Sequence, residues 1–178
     1  FYHVNVLKEF PFAETDATRY GTEFHKACEE YMRDGTPIPA KFSYVATAMS
    51  ALNDLPGEKH CELKMGLTAD LEPCGFFDKN VWWRGVADII ILQGDTALTV
   101  DYKTGKSSKF AELKQLEIVS LAIFKHFPEV KKVKAGLMFL FADDFIKTAY
   151  LADSQDELWG SWVSDVGQLQ ASVESDMW

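Results

Sequence analysis

Apolar and polar positions along this chain change period several times, and the changes mark out an alternating order of helices and strands. From Ala17 to Arg33 the apolar residues Phe24, Ala27, Cys28 and Tyr31 recur at helical spacing, with Asp16 placed to cap the first turn. A second helix is expected over Ala40 to Asp54, closed by Pro56-Gly57. Residues 58–69 read as a strand bearing Glu62, and Val81 to Leu92 with Ala97 to Lys103 as the two strands of a hairpin. Phe110 to Phe127 then suits a helix stopped by Pro128, followed by strands at Val133 to Phe141 and Phe145 to Leu151. Beyond Ser154, Leu158, Trp162, Val166, Leu169 and Val173 form an apolar stripe, so the tail is expected to be a helix whose tryptophans anchor it to the core.

The hairpin carries the first hint of chemistry. Gly94-Asp95 lies between two apolar runs and predicts a tight turn, which sets Asp88 and Asp101 at equal distances either side of it. Directly opposed residues on paired strands have Cβ atoms about 4.5–5.5 Å apart, where like charges destabilise each other. A cation is therefore expected between them. Lys103, two residues beyond Asp101, is on the same face of its strand. Two carboxylates and an ammonium in one small volume suit the holding of a divalent metal and a water against a phosphate.

Composition narrows the class without changing this picture. The 178 residues, 47% hydrophobic and 25% charged, suit a single domain with a full core. No apolar run is long enough to span a bilayer and no leader-like segment opens the chain, so a cytoplasmic protein with no membrane partner is expected. Cys28, Cys61 and Cys74 are odd in number and lack C-x-x-C spacing, which argues against a disulfide scaffold, a zinc site or an iron–sulfur cluster and for buried packing. The net charge of −9 argues against a nucleic-acid partner, but residues 101–134 form a net-basic stretch that begins at Lys103. Lys106 and Lys109 are its candidates for contacting phosphates, whereas Lys131, Lys132 and Lys134 read as a solvated turn before a strand.

Five short patterns occur in a telling order: Gly21-Thr22-Glu23-Phe24-His25, then Glu62, Gly85-Val86-Ala87-Asp88, Asp101-Tyr102-Lys103-Thr104-Gly105, and Gln115. This succession resembles the core of the PD-(D/E)XK nuclease superfamily, most closely its RecB-like branch, over roughly residues 20–140. The resemblance implies an α/β, restriction-endonuclease-like core of αβββαβ order with a mixed sheet flanked by helices. It also implies a metal-dependent DNA exonuclease acting at a free end, in recombination, repair or phage DNA processing. Asp88, Asp101, the Tyr102 carbonyl and His25 would then hold Mg²⁺ or Mn²⁺, with His25 alternatively touching the scissile phosphate and Glu62 an outer or second-metal ligand. Lys103 would orient the attacking water, Gln115 would orient Lys103, the water or DNA, and Gly105 and Lys106 would lie near the phosphates. Val119 stands where the family often has Tyr, four residues after its Gln.

Each residue also has a plain structural role open to it. Asp88 could end a strand, Asp101 and Lys103 could be a solvated edge, His25 a satisfied histidine, Glu62 a strand-surface charge and Gln115 a helix-surface residue. An inactive nucleic-acid-binding module of the same fold, a structure-specific endonuclease and a phosphate-ester hydrolase unrelated to nucleic acid are the rival functions.

Overall fold

The computed structural model describes residues 13–105, 109 and 113–175. Helix α1 (Asp16–Asp34) is capped by Thr15 rather than by the expected Asp16, because Thr15 and Thr18 exchange side-chain and backbone hydrogen bonds in a capping box. Gly35 ends it with φ 76°. The second expected helix divides into a 3-10 segment (Ala40–Val45) and a short α2 (Ala46–Asn53). Strands β1 (Glu58–Thr68), a two-residue β2 (Pro73–Cys74), β3 (Val81–Gln93) and β4 (Thr96–Lys103) follow. Helix α3 (Lys114–His126), β5 (Lys132–Phe139), β6 (Asp144–Leu151) and α4 (Gln155–Ser175) complete the order.

The strands form one mixed sheet in the order β2-β1-β3-β4-β5-β6. β4 and β5 are parallel, joined across a face by α3, and the other pairs are antiparallel. Helices cover both faces. On one, Phe24 and Cys28 of α1 with Met49 and Leu52 of α2 pack on Ile89, Ile91, Val100 and Tyr102. On the other, Leu116, Leu121 and Ile123 of α3 and Trp159 of α4 pack on Met65, Leu67, Ala87, Ile90 and Ala97. This two-sided burial explains why Ile89, Ile90 and Ile91 run together without alternation. Each is fully buried, contributing about 1.5–3 kcal/mol relative to an exposed side chain.

The hairpin turn falls on Gly94-Asp95, with Gln93 opposite Thr96 and Gly94 at φ 63°. Two expectations need correction. Of the cysteines only Cys28 is buried, while Cys61 and Cys74 are partly exposed, and all three are free thiols. The apolar stripe of α4 seats only its first turns: Trp159 is buried and Leu158 and Trp162 pack against the core, but Leu169 and Val173 are exposed. Among the described residues no helix is long and apolar enough to cross a membrane.

Candidate metal and catalytic site

The alternation of side chains along β1 and β3 slips at one level of the sheet. Cys61 faces α1 and α2, yet Leu63, two residues on, packs with the α3 core. Ala87 and Ile89 divide in the same way. A regular strand keeps residues two apart on one face, so a residue between them must leave extended geometry. That residue is Glu62, a non-glycine at φ 48° in the middle of β1. The β1–β3 ladder skips it, running Cys61↔Ile89 and then Leu63↔Ala87, and Asp88 is skipped with it. Strain of this kind costs about 1–3 kcal/mol and persists where surrounding structure imposes it, often at functional sites.

The slip turns Glu62 and Asp88 toward α1, where His25 waits one residue beyond the buried Phe24. His25 Nδ1 lies 3.2 Å from Asp88 Oδ1 and 4.0 Å from Glu62 Oε1. One ligand atom from each of the three residues lies within 4.8 Å of the others. The other carboxylate oxygen of Asp88 accepts the Tyr102 N–H at 2.7 Å, fixing the carboxylate across the mouth of the hairpin. An imidazole and two carboxylates, partly buried and mutually close, suit a hard divalent cation such as Mg²⁺ or Mn²⁺.

Asp101 behaves differently from expectation. The hairpin register is not shifted, since Ile89 lies opposite Val100. Val100 and Tyr102 belong to the α1 side, however, so alternation sets Asp101 and Lys103 toward α3. There Gln115 donates to Asp101 Oδ1 at 2.6 Å and accepts from Lys103 Nζ at 2.8 Å. Lys103 Nζ is 2.7 Å from Asp101 Oδ2, an ion pair without hydrogen-bond alignment, which leaves that buried oxygen with directional capacity to spare. Asp88 and Asp101 therefore do not share Lys103 face to face: His25 is the group beside Asp88, and Lys103 belongs to Asp101. The two carboxylates still feel each other. Burial first, then the charge of Asp88, raises the Asp101 carboxyl above its ordinary value, against the pull of Lys103. Glu62 is raised by burial and then by Asp88. His25 is raised because its ring hydrogen-bonds to Asp88.

These shifts have one sign. A group whose folded pKa exceeds its unfolded value stabilises the fold below the unfolded pKa and loses that contribution as pH rises through the folded one. For Asp101, Glu62 and His25 alike, the metal-free protein should lose stability from about pH 4 to beyond about pH 7. The melting temperature in EDTA is expected to fall across this window, and less steeply in Glu62→Gln. Saturating Mn²⁺ should raise it at pH 8 in the parent protein, by about 2.7 kcal/mol at a hundredfold excess over Kd, and not in Glu62→Gln. A metal-independent melting curve would remove the assignment.

The remaining candidates fall around this centre. Tyr102 is buried, paired with Met138 in the β4–β5 ladder, and its N–H rather than its carbonyl is the group seen touching the site. Gly105 is exposed just past β4, and Lys109 is exposed on a turn before α3. Lys106 lies outside the described residues. Lys131, Lys132 and Lys134 are solvated as expected, but only Lys131 precedes the strand, since β5 begins at Lys132 and includes Lys134.

No family model and no curated protein matches this chain. Among solved structures it is similar to the crystal structure of SSO0001, at 13% identity over 82% of this chain and 68% of that one, with a TM-score of 0.37.

Proposed function

We propose that this protein is a Mg²⁺- or Mn²⁺-dependent deoxyribonuclease built on a restriction-endonuclease-like core of the RecB-like kind, acting from DNA ends. The observation that carries the reading is the junction of two clusters: His25, Glu62 and Asp88 on the α1 side, and Asp101, Lys103 and Gln115 on the α3 side. The Tyr102 N–H to Asp88 bond ties one to the other. The α/β order and mixed sheet are compatible with that core.

His25, Glu62 and Asp88 would hold the cation, with Asp101 beside them. When bound, the metal lowers the pKa of a coordinated water and offsets charge on the phosphate oxygens. Hydrolysis adds water across one P–O bond, leaving a phosphate monoester on one fragment and a sugar hydroxyl on the other. Lys103, anchored by Asp101 and Gln115, presents its ammonium to the attacking water and to the charge that develops on the phosphate. Gln115 keeps the lysine and the carboxylate in register by bonding to both. A protein of this kind would work inside a bacterial or phage-infected cell, in recombination, repair or genome processing.

Incubation of linear and covalently closed circular DNA with Mg²⁺, Mn²⁺ or EDTA tests this reading. Degradation of the linear form with metal, none with EDTA, and survival of the closed circle are expected. If neither DNA is degraded with either metal, the nuclease reading is wrong; digestion of the circle would make it an endonuclease.

A further inference from the structure

Past the level of Glu62 and Asp88, the same sheet face continues outward, and among the described residues no helix covers it. Alternation along β3 leaves Trp82, Arg84 and Val86 exposed on this face, while Trp83 and Ala87 turn to the α3 core. On β1, Lys64 stands opposite Val86, and Gly66 opposite Arg84. At about 3.4 Å per residue, Lys64 lies about 7 Å and Arg84 about 14 Å along their strands from the Glu62–Asp88 level.

The aromatic part comes from the loop after β2. A side chain at Gly66 would meet the Cys74 carbonyl oxygen at 2.9 Å and that of Gly75 at 3.0 Å, so the bare backbone of Gly66 is what lets this segment lie close. Phe76 and Phe77 are thereby brought to the cations. The Arg84 guanidinium is 5.4 Å from the Phe76 ring centre, and Lys64 Nζ is 5.9 Å from both phenylalanine rings. The Phe76 and Phe77 rings meet edge to face. Phe77 is 77% exposed and Trp82 37%. Among the described residues neither Lys64 nor Arg84 has a carboxylate within ion-pair distance, although the chain carries a net charge of −9. Asp78, in the same loop, is turned onto the Gly75 N–H at 2.7 Å.

Cations without an ion-pair carboxylate, interleaved with exposed rings, suit a chain of phosphates whose bases are unstacked and available, which a duplex does not offer. We propose that the exposed β1–β3 face, through Lys64, Arg84, Phe77 and Trp82, is a track for single-stranded DNA that leads a strand to the carboxylate site. The inference rests on the nuclease reading for its occupant. Lys64 and Arg84 take phosphates, and Phe77 and Trp82 take bases. Continuity sets the direction: the cations begin one alternate residue past Glu62 and Asp88.

Fluorescence anisotropy tests the track with a fluorescein-labelled 20-nucleotide oligothymidylate, an abasic strand of equal length and a duplex, in EDTA over a salt series. Phe77→Ala should weaken oligothymidylate binding roughly fivefold to a hundredfold and leave the abasic strand unaffected, with Phe77→Tyr restoring affinity. Lys64→Ala and Arg84→Ala should weaken both strands and each lower the salt slope by about 0.7. All four positions are exposed, and melting curves check that each variant folds. Unchanged oligothymidylate affinity in the Lys64→Ala, Phe77→Ala, Arg84→Ala triple variant would overturn the track, as would tighter binding of duplex than of single strand. If the triple variant binds and degrades single strands like the parent, the track fails and the nuclease stands. If the parent binds single strands through these residues but degrades no DNA, the nuclease reading fails and the track stands.

Discussion

Replacing Lys103 by alanine is expected to reduce metal-dependent DNA hydrolysis by about 10²–10³-fold while leaving Mn²⁺ binding in place, as read by the Mn²⁺-induced rise in melting temperature. The size follows from losing one preorganised donor aimed at charge that exists only in the transition state. The split between activity and binding follows from geometry. Lys103 is paired to Asp101 and Gln115, on the α3 side, and is not among the three residues whose ligand atoms cluster around His25. Loss should fall on kcat rather than KM, because an ammonium that contacts only the developing charge contributes nothing to ground-state binding. Gln115→Ala should have the same character at smaller amplitude, since it frees both Lys103 and Asp101 without removing either. Full activity in Lys103→Ala would end the role assigned to it.

Part of this arrangement was legible in the chain, and the reasons are local. Asp101 and Lys103 are two residues apart in a strand, so a shared face is fixed by the period alone, and Gly94-Asp95 sets the hairpin register. That register was right, yet the inferred face-to-face pair was not. What intervened was the left-handed backbone of Glu62, one strand away, which switches β1 and β3 from one face to the other at the level of Asp88. No residue preference announces it, because glutamate rarely adopts that conformation and does so here under tertiary constraint. Helix α1 shows a milder version: Thr15 and Asp16 both suit an N-cap, and the reciprocal bond to Thr18 decided for Thr15. The Thr15-x-x-Thr18 spacing was a visible signal of it. The aromatic and basic face was invisible for another reason. Its members come from three segments, at Lys64, Phe76-Phe77 and Trp82 to Arg84, and only antiparallel pairing and the bare Gly66 assemble them. In α4, helical spacing predicts burial along the whole stripe, but nothing among the described residues buries Leu169 or Val173.

Two substitutions at Asp88 should separate what that residue does for the fold from what it does for the chemistry. Both Asp88→Asn and Asp88→Ala are expected to lose more than about 100-fold in hydrolysis, a larger cost than removing an outer-shell partner of a metal, and to lose the stabilisation by Mn²⁺. Their stabilities in EDTA should diverge. Asparagine keeps an oxygen able to accept the Tyr102 N–H, and its amide can donate to His25 Nδ1. It also removes a negative charge from beside Glu62 and Asp101, both of which Asp88 pushes toward protonation. At pH 8 and without metal, Asp88→Asn should therefore melt at or above the parent temperature. Alanine relieves the same repulsion but strands the Tyr102 N–H in a partly buried position, at a cost of about 1–3 kcal/mol. For a chain of this length that places Asp88→Ala below Asp88→Asn by about 2–4 °C for each kcal/mol. Equal melting temperatures would show that the Tyr102 bond contributes nothing to the fold, and retained activity in Asp88→Asn would exclude Asp88 as a ligand. The expected ordering, a more stable yet inactive asparagine variant, is what the proposed site would cost the fold: the repulsion among Glu62, Asp88 and Asp101 would oppose folding until a bound metal offset it.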